Sequence, residues 1–61
     1  MWVGVVEHDY ATGKRIGETL INSDNVTHIE VTKNLICVNS GAVIRVNDES
    51  MIHLLDLIQT K

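Results

Sequence analysis

The spacing of apolar residues changes once along the chain, at the polar segment Asn47-Asp48-Glu49-Ser50. Before this segment, short runs rich in β-branched residues are separated by turn residues, a pattern that is typical of strands. After it, apolar residues recur at helical spacing, at Met51, Ile52, Leu54, Leu55, Leu57 and Ile58. We therefore predict a single domain over residues 1–61, with a β-sheet over 1–46 and a C-terminal helix over 48–60.

The sheet is predicted to contain about five antiparallel strands, joined by turns rich in Asn, Asp, Ser and Gly. Gly13 and Gly41 fit the left-handed turn positions, and Gly17 is expected to mark a bulge because glycine weakens a strand interior. The fold class is α+β, and the sheet is either a meander or a partly closed barrel. The strands are predicted over residues 1–8, 15–21, 26–32, 35–38 and 42–46.

The helix is predicted to begin at Asn47 or Asp48, whose side chains can accept backbone N–H bonds. Its polar stripe is narrow, so the apolar surface exceeds what one small sheet requires. A chain of 61 residues also has a marginal core, and its single cysteine, Cys37, excludes an intrachain disulfide. We therefore expect a homodimer or other homo-oligomer, with candidate interface residues Trp2, Met51, Leu54, Leu55 and Ile58.

Charge and hydropathy narrow the classes of partner. The formal net charge is −3, from five Lys or Arg against eight Asp or Glu, which disfavours nucleic acid as a partner because phosphate binding depends on cations. No segment has the length and apolarity of a signal peptide or of a membrane span. We expect a cytoplasmic protein that has no membrane partner.

Residues that could carry chemistry are scattered rather than clustered. The histidines and the cysteine lie on different predicted elements without the close ligand pairs of zinc sites, and a cysteine inside an apolar run is expected to be inert. No catalytic constellation or glycine-rich phosphate loop is present. We predict no enzymatic activity, no cofactor and no metal. We interpret His8, His28 and His53 as surface residues and Cys37 as a core residue.

The segment Lys14-Arg15-Ile16-Gly17-Glu18-Thr19-Leu20 resembles the opening signature of the carbon storage regulator family. That resemblance implies an intertwined β dimer that binds messenger RNA through basic residues, with Lys14 and Arg15 matching the first basic pair. Two features depart from the family: a strand precedes the motif, and Asn47, Asp48 and Glu49 occupy the place of the second basic patch.

A longer stretch resembles the small FlbD-like family linked to bacterial flagella and swarming, which is not enzymatic. The resemblance covers about forty residues and leaves the N-terminal hairpin extra. The residues that carry it are Ile21-Asn22, Val26, Ile29-Glu30, the run from Ile36 to Gly41, Val46 and Glu49-Ser50.

The favoured interpretation is a small non-enzymatic interaction module, a bacterial or phage accessory or regulatory protein that acts as a homo-oligomer with a protein partner. The alternative is a small RNA-binding post-transcriptional regulator of the carbon storage regulator type, in which Lys14 and Arg15 contact the RNA.

Overall fold

The computed structural model describes residues 1–59, and the predicted helix end at residue 60 lies outside the described residues. It confirms the α+β class: a five-stranded antiparallel sheet is followed by one helix. Two short 3-10 helices, Ser23–Asn25 and Val31–Lys33, lie before and after the third strand. The regular elements are β1 (Trp2–His8), β2 (Arg15–Asn22), β3 (Val26–Glu30), β4 (Leu35–Val38), β5 (Val43–Val46) and α1 (Asp48–Gln59).

The strands lie in the order β2-β1-β5-β4-β3, so the first strand pairs with the last. The β1–β5 pairing is short, with Glu7 opposite Val46 and His8 opposite Arg45. The other pairs, β1–β2, β3–β4 and β4–β5, join strands that are consecutive in sequence. The strands β2 and β3 are also consecutive, but they form the two edges of the sheet and do not pair. The sheet is therefore not closed, and its opening lies between β2 and β3.

The core lies between the inner face of the sheet and α1. Alternate residues of a strand point to opposite faces, and in β1 this places Val3 and Val5 inside while Trp2 and Gly4 are exposed. The helix covers these strands with side chains that are almost fully buried. The central cluster consists of Val3, Val5, Ile21, Ile36, Val46, Met51 and Leu54.

The start of the helix confirms the predicted cap and adds a contact to the sheet. The backbone N–H of Ser50 donates to Asn47 Oδ1 at 2.8 Å, and the N–H of Met51 donates to the Asn47 carbonyl at 3.1 Å. The hydroxyl of Ser50, a buried residue, accepts a bond from the backbone N–H of Val6 at 2.8 Å. This bond attaches the first turn of α1 directly to β1.

Local differences from the predicted strands occur where the backbone turns. The third strand ends at Glu30, because Val31 to Lys33 form a 3-10 helix that closes at Asn34 in the left-handed conformation, with φ of 56°. The last strand begins at Val43 rather than at residue 42. The bulge predicted at Gly17 is present: the β1–β2 register shifts at Glu7 and His8, and Gly17 has φ of 153°.

Candidate functional site

The five residues predicted for an interface lie in three different environments. Trp2 is exposed, with 67% of its surface accessible. Met51 and Leu54 are only 3% and 0% exposed, and the sheet already covers them. The prediction therefore needs correction for these two, which belong to the chain's own core and offer no surface to a partner. Leu55 and Ile58 are half-buried and pack against that core.

The most exposed apolar side chain outside the predicted interface residues is Leu20 on β2, which is 69% exposed. The alternation of β2 places Ile16 and Leu20 on one side of the strand, and the structure directs that side outward. The opposite side carries Thr19 and the buried Ile21. The available signal was Ile21 itself, since an alternating strand that buries Ile21 must expose Leu20.

Trp2, Gly4 and Leu20 form one continuous surface, here called the apolar hairpin face. Gly4 lies directly opposite Leu20 in the β1–β2 register, and cross-strand partners share a face. Trp2 is two residues from Gly4 and therefore lies on the same face. A Cβ on Gly4 would come within 3.8 Å of Leu20 Cδ2. Because Gly4 has no side chain, the surface between Trp2 and Leu20 is shallow and accessible.

The apolar hairpin face borders an open strand edge. The N–H of Val6 bonds to Ser50 and its carbonyl accepts from Asn47 at 3.2 Å, so the backbone of Val6 points away from β2. Since backbone groups alternate in direction along an antiparallel strand, Val3 and Val5 point toward β2. Their partners on β2, Ile21 and Thr19, therefore direct their N–H and C=O groups toward β1. The alternate residues Glu18 and Leu20 direct theirs to the unpaired edge.

A second group of residues gathers at the other end of the same hairpin. His8 pairs with Arg15 on one side and with Arg45 on the other, so these three residues form a cross-strand row. The Arg45 guanidinium donates to the Tyr10 carbonyl at 3.5 Å, and His8 Nδ1 lies 2.9 Å from the Gly13 carbonyl. The predicted basic pair, Lys14 and Arg15, therefore has a third cation two strands away.

The residues considered for metal or nucleophilic chemistry remain separate. Within residues 1–59, no group of three or more His, Cys, Asp or Glu side chains could hold a metal ion. His28 and His53 are exposed and His8 is half-buried. Cys37 is half-buried rather than a core residue, because it points to the outer side of β4, opposite His28.

The described part of the chain has no helix long and apolar enough to cross a membrane. Comparisons with protein-family models, curated proteins and solved structures gave no significant match. The two family resemblances therefore stay predictions, and what can be inferred about function depends on the surfaces described above.

Proposed function

We propose that this chain is a non-enzymatic interaction module that assembles with a second copy of itself through the apolar hairpin face and the open edge of β2. The observation that carries the proposal is the pair of side chains Trp2 and Leu20, each about two-thirds exposed on adjacent strands. Apolar side chains grouped on a surface mark interaction sites more often than isolated ones do. The accessory or regulatory role predicted from the sequence would act through this assembly.

The main chain of β2 supports a copy of the same strand as the occupant. An edge strand with unpaired donors and acceptors is a template for another strand, and a two-fold axis lets identical edges pair antiparallel. The bulge at Gly17 limits the regular edge to the segment from Gly17 to Asn22. Pairing is therefore expected to involve Glu18 and Leu20.

The charge of Glu18 selects the register of this pairing. A two-fold axis at Glu18 would place the Glu18 carboxylates of the two copies directly opposite each other, which destabilises a strand pair. An axis at Leu20 instead places Leu20 against its own copy and Glu18 opposite Asn22. We infer the second arrangement, which also brings the two apolar hairpin faces together.

Light scattering after size-exclusion chromatography tests the assembly. The chain is expected to elute at twice its 6.8 kDa mass at micromolar concentration. Leu20→Glu should produce the monomer, whereas the matched control Ile52→Glu should remain a dimer, because Ile52 is equally exposed, at 67%, but lies on the helix. A monomeric wild-type chain would refute the proposal, and dissociation by the control alone would move the interface to α1.

Cross-linking tests the register in a Cys37→Ser background. Opposed hydrogen-bonded residues of an antiparallel pair have Cα atoms about 5.5 Å apart, which lies within the roughly 4.4–6.8 Å span of a disulfide. Leu20→Cys should therefore form an interchain disulfide readily, and Glu18→Cys should form it poorly. The reverse preference would contradict the axis at Leu20.

RNA binding of the carbon storage regulator type is the second candidate function, and the cross-strand row of Arg15, His8 and Arg45 favours it. Phosphate contacts make such binding strongly salt-dependent. A single-stranded RNA should be retained in a low-salt shift assay, and Lys14→Gln with Arg15→Gln should weaken it. Absence of any retention at low salt would remove this candidate.

A further inference from the structure

A cleft on the outer side of the sheet takes no part in the proposed assembly. It is open to solvent and has a volume of about 420 Å³. This volume lies within the usual range of roughly 300–1,000 Å³ for small-molecule sites. The hairpin turn, the loop after β3 and the start of β4 all contribute to it. Its lining residues are Tyr10, Thr32, Lys33, Asn34, Leu35 and Arg45.

We propose that this cleft binds a nucleotide, with the phosphate between Lys33 and Arg45 and the base against the ring of Tyr10. The site does not depend on the proposed dimer, because none of its lining residues belongs to the apolar hairpin face. Two sources share this chemistry: a free mononucleotide, and one nucleotide unit of a single-stranded nucleic acid.

The positive charge of Arg45 is the first argument. Among the described residues, no carboxylate lies within 4.0 Å of its guanidinium, whose one described bond goes to the neutral Tyr10 carbonyl. A guanidinium offers five N–H donors in a planar fork that matches phosphate oxygens. Most of those donors are therefore available to an anion in the cleft.

Lys33 supplies a second cation from a different element. Its ammonium lies 3.8 Å from Glu30 Oε2, but it is 71% exposed, so this ion pair is weak and easily exchanged. The amide of Asn34 is committed to Asp48 Oδ1, to which it donates at 2.5 Å. We therefore assign phosphate binding to Lys33 and Arg45, with Asn34 forming the wall.

The remaining lining is suited to a flat ring. Leu35 is 9% exposed and is the buried apolar residue of the cleft, whereas Tyr10 is 63% exposed on the hairpin turn. Bases stack on aromatic side chains with little dependence on sequence, because every base has a π-face. An aromatic ring and two cations around one cleft fit a nucleotide better than they fit an inorganic anion.

Titration of the ¹⁵N-labelled chain with AMP, adenosine and inorganic phosphate tests the proposal. AMP should cause saturable shifts of the amides of Lys33, Leu35 and Arg45, and should bind more tightly than adenosine or phosphate. Arg45→Gln should weaken AMP about tenfold or more, as expected for loss of a charged hydrogen bond. Tyr10→Ala should reduce AMP binding to the level of phosphate, and Tyr10→Phe should retain it.

Lys33→Gln provides a second variant at the end of the 3-10 helix after β3, where the side chain is 71% exposed and its replacement is expected to leave the fold intact. A short single-stranded RNA of about eight nucleotides distinguishes the two sources. Tighter binding of RNA than of AMP, with loss in Arg15→Gln, identifies nucleic acid, and equal binding identifies a free nucleotide. Absence of saturable AMP shifts up to about 10 mM, or AMP shifts that persist unchanged in both Arg45→Gln and Lys33→Gln, would overturn the site.

Discussion

The inner and outer faces of the β1–β2 hairpin carry similar apolar side chains but differ completely in burial. Val3, Val5 and Ile21 on the inner face are at most 5% exposed, while Trp2 and Leu20 on the outer face are exposed by about two-thirds. The difference arises because α1 packs on only one side of the sheet. Apolar content therefore stabilises the monomer on the inner face and, in our proposal, the assembly on the outer face.

The largest expected effect on stability is the difference between a substitution in the buried core and a substitution on the outer face. Leu54→Ala should reduce the free energy of unfolding by about 2–5 kcal/mol, because Leu54 is fully buried in the core. Half-buried Leu55→Ala should cost less. Leu20→Ala should change it by less than about 0.5 kcal/mol in the monomer. Urea denaturation at low protein concentration measures all three, and equal losses for Leu54 and Leu20 would contradict the assigned faces.

Ser50 tests how the helix is held over the inner face. Ser50→Ala should destabilise the fold by about 1–3 kcal/mol, because the part-buried N–H of Val6 loses its acceptor. The control is Ser40→Ala in the exposed loop between β4 and β5, which should be nearly silent. Thermal unfolding of the two variants checks this, and similar melting temperatures would mean that Val6 finds another acceptor.

The cap of α1 gives a smaller expected effect. Asn47→Ala removes the acceptor for the Ser50 N–H and should cost about 1 kcal/mol. Asn47→Asp should retain most of the stability, since a carboxylate caps the same N–H and interacts favourably with the positive end of the helix dipole. Chemical denaturation distinguishes them, and an aspartate variant as unstable as the alanine variant would contradict the capping role.

The smallest expected effect lies in the turn that connects the two strands of the hairpin. A hydrogen bond from the Thr12 side chain, together with bonds from the backbone, lowers the pKa of Asp9 below its ordinary value of 3.8. A lowered folded-state pKa stabilises the fold above the unfolded value, and this contribution is lost as the pH falls through the folded value. The amide shift of Thr12 should therefore titrate below pH 3.8. Asp9→Asn should abolish that titration.

The sequence predicted the elements because the pattern of turn residues and the change of apolar period are local signals. Gly17 marked the bulge, and Asn47 the cap, for reasons that depend only on neighbouring residues. The end of β3 was misplaced because Val31 and Thr32 favour strands, whereas the left-handed conformation of Asn34 closes a 3-10 turn there. Local propensity did not indicate this turn, in which the Asn34 carbonyl accepts from the Val46 N–H and its side-chain amide donates to Asp48.

The candidate surfaces were predictable only in part, since each depends on pairing between distant strands. Lys14 and Arg15 are adjacent in sequence, but Arg45 joins them only through the β1–β5 pairing. Trp2 was identified by its chemistry, whereas Leu20 was missed because the exposed face of β2 depends on which alternating set the helix covers. The assignment of Met51 and Leu54 to an interface needed correction for the same reason.

The bond between the Val6 N–H and Ser50 connects residues 44 positions apart, whereas most strand pairs join strands that are consecutive in sequence. Contacts at such separation require closure of a long loop, which costs chain entropy and slows folding. The Val6 amide proton therefore becomes a probe of whether the C-terminal helix has docked on the first strand. Its solvent exchange should be slowed only after the last element has docked, whereas the edge amides of β2 should exchange rapidly in the isolated chain.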